Sequence, residues 1–128
     1  IWYRGGHGNY GLFPNLHAAT RYEMLVIANG GKAQLCKKPV ENVLCFPALP
    51  KEEKLHNHHK PAALCAELIE RFTVPGERIV DFCFGSCQHL ATAAAIGRDF
   101  EGSEINAAML DVAVTLIAEH FRPKLKLL

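Results

Sequence analysis

The segment 81–106 reads DFCFGSCQHLATAAAIGRDFEGSEIN. An apolar run carrying Asp81 leads into a Gly85-Ser86 turn. An Ala-rich stretch follows, and a second short run ends in Gly102-Ser103-Glu104. Strand, glycine turn, helix, strand and acid is the layout of a nucleotide-type cofactor site on a parallel sheet. The turn after the first strand receives one end of the ligand, and an acid about 20 residues on receives ribose hydroxyls. One letter is odd: Cys87 stands where such a turn usually has its second glycine.

Working outward, Arg78 to Phe84 reads as a strand, nearly continuous in apolar residues, as expected where both faces are covered. Ser86 to Ile96 reads as a helix, with Gly97 suited to its C-terminal cap. Phe100 to Ile105 is a short strand, and Asn106 a good N-cap for a last helix. On that helix Met109, Leu110, Val112, Ala113, Leu116 and Ile117 are expected to face inward, with Arg122, Lys124 and Lys126 near its negative end. Upstream, Pro75-Gly76 makes a turn. Before it, Pro61 suits a first helical turn, followed by Leu64, Cys65, Leu68, Ile69 and Phe72 at helical spacing. Helix, strand, helix, strand, helix over 60–120 predicts part of an open α/β sheet with helices on both faces.

The first half is less regular. Ile1 to Arg4 looks like the end of a strand, Gly5 to Thr20 like loop, and Arg21 to Asn29 (RYEMLVIAN) like a strand ended by Gly30-Gly31. The two strands can pair antiparallel around that long loop, and a loop of such length is usually functional or mobile. Residues 42–46 (NVLCF) form a short apolar run.

The chain of 128 residues, 49% hydrophobic and 21% charged, suits one domain with a real core. No stretch approaches the ~20 apolar residues of a membrane span, and no signal peptide is visible. Starting at Ile1 without Met, the sequence reads as a fragment or processed piece. Net charge is +1, divided between eight Lys/Arg against four Glu in 1–60 and six against nine Asp/Glu in 61–128. The mild excess in the first half either assists contact with a phosphate backbone or is a solvated face. Five irregularly spaced cysteines predict a reducing, cytoplasmic setting without a disulfide framework. Composition leaves homo-oligomerisation open.

Several residues are candidates for chemistry. Asp81 either contacts a cationic or hydrogen-bond-donating part of a cofactor or caps the next helix. Gly85 and Ser86 either let backbone N–H groups approach a ligand or form an ordinary turn. Glu104 lies where an acid takes both ribose hydroxyls, or is a surface acid at a strand end. Phe100 either packs on an adenine ring or fills the core. His56, His58 and His59 lack a Cys pair or acid at zinc-site spacing, so no metal is expected. Cys83 and Cys87, with three residues between them in an apolar setting, are not expected to be a redox pair. No role attaches to His7, His17 or His89.

Together these segments resemble the amino-methyltransferases of DNA, the adenine or cytosine exocyclic-amine type, in the permuted order with cofactor motifs last. That family typically has HPTQKP, a helix, DPFxGSGTT, then GxExN and a final helix. Here HNHHKP is His56 to Pro61, DFCFGSCQH is Asp81 to His89, and GSEIN is Gly102 to Asn106. YEMLVIANGG resembles the strand before the family's target-recognition segment, and Ile1 to Arg4 the strand before that. The resemblance covers nearly the whole chain. It implies a single Rossmann-like methyltransferase domain over 1–128, with 1–59 on the target-recognition side and 60–128 forming the cofactor half.

By the same resemblance the cofactor is S-adenosylmethionine and the partner DNA, in a restriction-modification or phage setting. Asp81, Phe82, Gly85 and Ser86 would line the methionine and sulfonium side, Lys60 would close the same pocket, and Glu104 would hold the ribose. Two departures stand out. The catalytic DPPY-type motif is absent: the chain has no Pro-Pro pair, so no catalytic residue is assigned and a missing N-terminal portion or partner chain would supply it. The glycine turn is also altered, with Phe82 for Pro and Cys87 for Gly. At a left-handed position a Cβ costs ~1–2 kcal/mol, and there it would also crowd the cofactor. Gln88 and His89 replace small hydroxyl residues. A degenerate, non-catalytic module that contacts nucleic acid is the alternative. A nicotinamide-dependent enzyme would require a GxGxxG pattern, which is missing.

Overall fold

The computed structural model describes residues 1–5, 20–28, 30–31, 35–37 and 41–121. Its elements are β1 (Trp2–Tyr3), β2 (Tyr22–Glu23), β3 (Leu44–Cys45), α1 (Ala62–Phe72), β4 (Arg78–Asp81), α2 (Gln88–Ala95), β5 (Asp99–Gly102) and α3 (Ala107–Phe121), with one 3₁₀ turn at Lys51–Glu53. The middle of the expected Gly5–Thr20 loop, Asn29, His7, His17 and the basic residues Arg122, Lys124 and Lys126 lie outside the described residues.

The βαβ unit forms as expected. β4 and β5 are parallel, with Asp81 opposite Gly102, and α2 is the crossover between them. The order of elements and this parallel pairing make the fold Rossmann-like α/β. Cys87, Leu90 and Ala113 form the buried centre between α2 and α3, with Ile79, Phe84, Phe100 and Ile117 packed around it. Phe100 therefore fills the core. Gly102 lies so close to β4 that a Cβ there would stand 2.6 Å from the Asp81 carbonyl oxygen and from Leu90 Cδ1.

A second, smaller sheet has the order β2-β1-β3, antiparallel between β1 and β2 and parallel between β1 and β3. Trp2 anchors it: the ring is buried with Leu44 and Leu64, and its Nε1–H donates to the Phe46 carbonyl at 2.7 Å. Leu64 brings α1 into this cluster, while Cys65 and Ile69 are buried on the same helix. Arg98 fastens the end of α1 to the α2–β5 loop, donating to Thr73 O at 2.8 Å and to Ile96 O at 2.7 Å.

Element ends differ from the sequence reading for local reasons. α2 begins at Gln88, two residues later than expected, because Gly85 (φ 54°) and Cys87 (φ 63°) are both left-handed, which an α-helix cannot contain. It ends as expected: Gly97 has φ 80°, its N–H donates to Ala94 O and the Arg98 N–H to Ala93 O, the paired bonds of a Schellman cap. Pro61 stands just before α1, as its N-cap residue, and not in the first turn.

The strands are shorter than expected. β4 stops at Asp81, since the Asp81 carboxylate takes the Cys83 N–H at 3.0 Å and turns the chain. β5 runs from Asp99 to Gly102 and leaves Ile105 fully exposed. Burial along β4 alternates, and Val80 is 46% exposed, so the double-sided cover expected of an apolar strand is incomplete at that face. Among the described residues of the run RYEMLVIAN, the ladder with β1 covers Tyr22–Glu23, with one further bond from the Arg4 N–H to Arg21 O. Met24, Val26 and Ile27, just beyond that pairing, are exposed. Leu110 also faces outward, since the packed stripe of α3 follows 109, 112, 113, 116 and 117. Phe72, the last residue of α1, is half exposed. Asn106 caps α3 as expected, its Oδ1 accepting the Ala108 N–H at 3.0 Å.

Candidate functional site

The three motif segments meet at the carboxyl end of the β4–β5 pair. Glu104 joins two of them. Its Oε2 accepts the Gly85 N–H at 2.8 Å and its Oε1 the Asn106 N–H at 2.9 Å. One carboxylate thus ties the glycine turn to the start of α3 across 19 residues of sequence. These N–H groups, Asn106 first and Gly85 next, hold the Glu104 carboxyl below the usual carboxylate range, so it is charged at neutral pH. The Ile105 N–H also acts on this carboxylate, which, with about four lone-pair sites, keeps capacity for a further donor.

The third segment lies over the turn. A Cβ on Gly85 would sit 3.0 Å from His56 Nε2, so the imidazole occupies the space that glycine leaves open. His56 Nδ1 accepts the His58 N–H at 3.0 Å, which puts the proton of the neutral ring on the nitrogen facing Gly85. Burial, followed by His58 and Lys60, lowers the His56 pKa. His59 is buried with no hydrogen-bond partner at Nδ1. Burial lowers its pKa too, with the Gln88 side chain opposing. Among the described residues no cluster of three His, Cys, Asp or Glu could hold a metal ion.

Asp81 does not cap α2, whose N-cap residue Cys87 makes no side-chain capping bond. Asp81 Oδ1 accepts the Cys83 N–H, and Oδ2 lies 3.4 Å from His89 Nδ1. Phe82 is 76% exposed beside it. Ser86 is buried as a whole residue, 2% exposed. Lys60 is turned toward the small sheet. Its Nζ is 2.7 Å from Glu23 Oε2 and 5.0 Å from the centre of the Trp2 ring, and Arg4 pairs with the same Glu23 at 3.2 Å. Glu23 and Trp2 as partners of Lys60 had no local signal in the sequence, and neither did His89 beside Asp81. Both contacts depend on how separate elements pack.

Cys87 is left-handed, and is the one non-glycine residue with positive φ among the described residues. Its side chain is 1% exposed and packs with Leu90 and Ala113. It points into the core and does not crowd the open side of the turn, contrary to the expectation from sequence. Burial pushes its thiol up to about 11 and that of Cys65 up to about 12, so both are protonated and poor nucleophiles. All five cysteines are free.

Residues 17–115 match a family model, N6_N4_Mtase, described as DNA methylase. The chain belongs to the DNA methylase family. Among solved structures it is similar to M1.HpyAVI, at 20% identity over 65% of this chain and 40% of that one, with a TM-score of 0.51. It is also similar to an M1.HpyAVI–SAM complex, at 24% identity over 66% of this chain and 42% of that one, with a TM-score of 0.53. These likenesses concern the fold of this methylase-family chain, which spans about two fifths of the solved chains it matches. No helix among its described residues is long and apolar enough to cross a membrane.

Proposed function

We propose that this chain is the cofactor-binding, C-terminal portion of a DNA methyltransferase that acts on the exocyclic amine of adenine or cytosine. The observation that carries the proposal is the convergence of HNHHKP, the Gly85 turn and Glu104 on one spot at the sheet edge. The donor set suits S-adenosylmethionine. Asp81 offers a carboxylate to a cation, and Glu104 offers remaining lone pairs to a ribose diol. When bound, S-adenosylmethionine supplies a methyl group activated by its sulfonium. Phe82, exposed beside Asp81, and the Gly85-Ser86 backbone border the same edge. Lys60 closes the pocket only if it leaves Glu23.

Residues 60–128 act as the cofactor half of one domain, and 1–59 lie on the side of the target. The chain's own contribution is to bind and orient. The groups that hold the target amine, after its base leaves the duplex, come from a portion outside this sequence or from a partner chain. Calorimetry with S-adenosylmethionine tests the proposal. Saturable heat at micromolar ligand, lost in Glu104→Gln, is the expected result. Absence of heat at millimolar ligand refutes a working cofactor site and leaves a non-catalytic module.

A further inference from the structure

Asp81 has two carboxylate oxygens with different employment. Oδ1 is tied to the Cys83 N–H at 3.0 Å as part of the turn that ends β4. Oδ2 is the oxygen left for a ligand, and His89 Nδ1 stands 3.4 Å from it. His89 is the second residue of α2, on the turn side of the helix, with its side chain 40% exposed and that of Asp81 25% exposed. Solvent protons therefore reach the pair. A cation in the first turn of a helix faces the positive end of the dipole, so Asp81 is the counter-charge available to a protonated His89. Nothing in the chemistry of binding so far uses this histidine.

We propose that His89 gates Asp81: protonated, it neutralises the carboxylate charge that the cationic end of the cofactor requires, and neutral, it leaves that charge to the cofactor. The inference rests on the reading of Asp81 as a cofactor ligand. It makes His89 a positioning residue that sets the pH range of cofactor binding.

Other titratable groups surround the pair. Cys65 on α1 and Cys87 at the start of α2 lie within the field of Asp81, but burial keeps both thiols protonated. Lys60, whose charge reaches Cys65, is paired with Glu23. From the neighbouring segments come His56, over Gly85, and Glu104. Asp111 of α3 is exposed beside Leu55. His56 is therefore the other imidazole whose titration could alter binding at this edge, and it needs its own control.

The experiment is calorimetry of the protein with S-adenosylmethionine at a series of pH values between about 5 and 8. Buffers of differing ionisation enthalpy report the protons released on binding. The wild-type protein should bind about five-fold more weakly at the acid end, as suits a partly exposed ion pair, and should release protons there. His89→Gln should bind at the acid end as it does at the alkaline end and release fewer protons. His56→Gln should keep the His89 share of the dependence. An unchanged pH profile and proton release in His89→Gln overturns the gate while leaving the cofactor site intact. No binding to wild-type protein at any pH overturns both the gate and the site.

Discussion

Cys87 offers the sharpest test of the turn, through a comparison of glycine and alanine at that position. Both substitutions remove the same buried sulfur, so both should fall below wild type by about 1 kcal/mol. What separates them is the backbone. At φ 63° and ψ 17° an L-residue carries ~1–2 kcal/mol of strain, which alanine keeps and glycine sheds. Against that, glycine loses ~0.5–1 kcal/mol through unfolded-chain entropy. It also loses the burial of one carbon at a site 1% exposed, worth ~0.8 kcal/mol. The terms nearly cancel, so the two variants should be about equally stable. At a buried site with ordinary φ the strain would be missing, and alanine would lead by ~1.5 kcal/mol. Urea unfolding distinguishes the cases, because that gap is about 1 M in midpoint at a typical slope. An alanine variant that leads by the full gap, at unchanged slope, would show that Cys87 is not left-handed in solution. Because the thiol faces Leu90 and Ala113, Cys87→Gly should also leave the affinity for S-adenosylmethionine within about two-fold, a change too small to reflect relief of a blocked site.

Gly102→Ala should be far more damaging than Cys87→Ala, by ~3 kcal/mol or more, since its Cβ would meet the Asp81 backbone oxygen at 2.6 Å; thermal or urea unfolding reads this directly. Leu64→Ala should cost ~2–5 kcal/mol by emptying the cluster around Trp2, seen as a lower unfolding midpoint with quenched or shifted Trp2 fluorescence. Burial alone would raise the Glu23 pKa, but Lys60 and Arg4 more than offset it, so the folded value lies below the unfolded one. Stability from this acid is present above ~4.3 and lost as pH falls through the lower folded value. Glu23→Gln should therefore be ~1 kcal/mol less stable near pH 7 and level with wild type in strong acid. His56 and His59 are both held neutral by burial, so folding stability should decline as pH drops below ~6.5, where the unfolded imidazoles gain protons first. A His56→Gln/His59→Gln double variant should flatten that limb of the stability profile, and an unchanged slope would contradict the burial assigned to these rings.

The βαβ unit, the Schellman cap at Gly97 and the Asn106 cap were legible in the chain because each depends on neighbouring residues. Periodicity, a glycine at the right offset and a capping side chain act over a few positions. The place of Glu104 just past β5 was legible for a related reason: its distance from the turn is set by one helix and one strand. The strand readings went furthest astray where pairing decides. MLVIA has strong β character, but pairing beyond Tyr22–Glu23 needs a facing strand that a local run does not specify, and Met24, Val26 and Ile27 are exposed. The length of α2 was misjudged because two left-handed residues, one of them not glycine, precede it.

The sequence by itself determined the order of elements, the caps at Gly97 and Asn106, and the placing of Asp81 and Glu104 at or just past the ends of β4 and β5. Those follow from local sterics and spacing. Tertiary structure alone decided which way Cys87 points, where Lys60 spends its charge, that His56 covers Gly85 and that His89 faces Asp81. Each is a contact between elements separated along the chain, and its geometry is set by packing, which no local run of residues encodes.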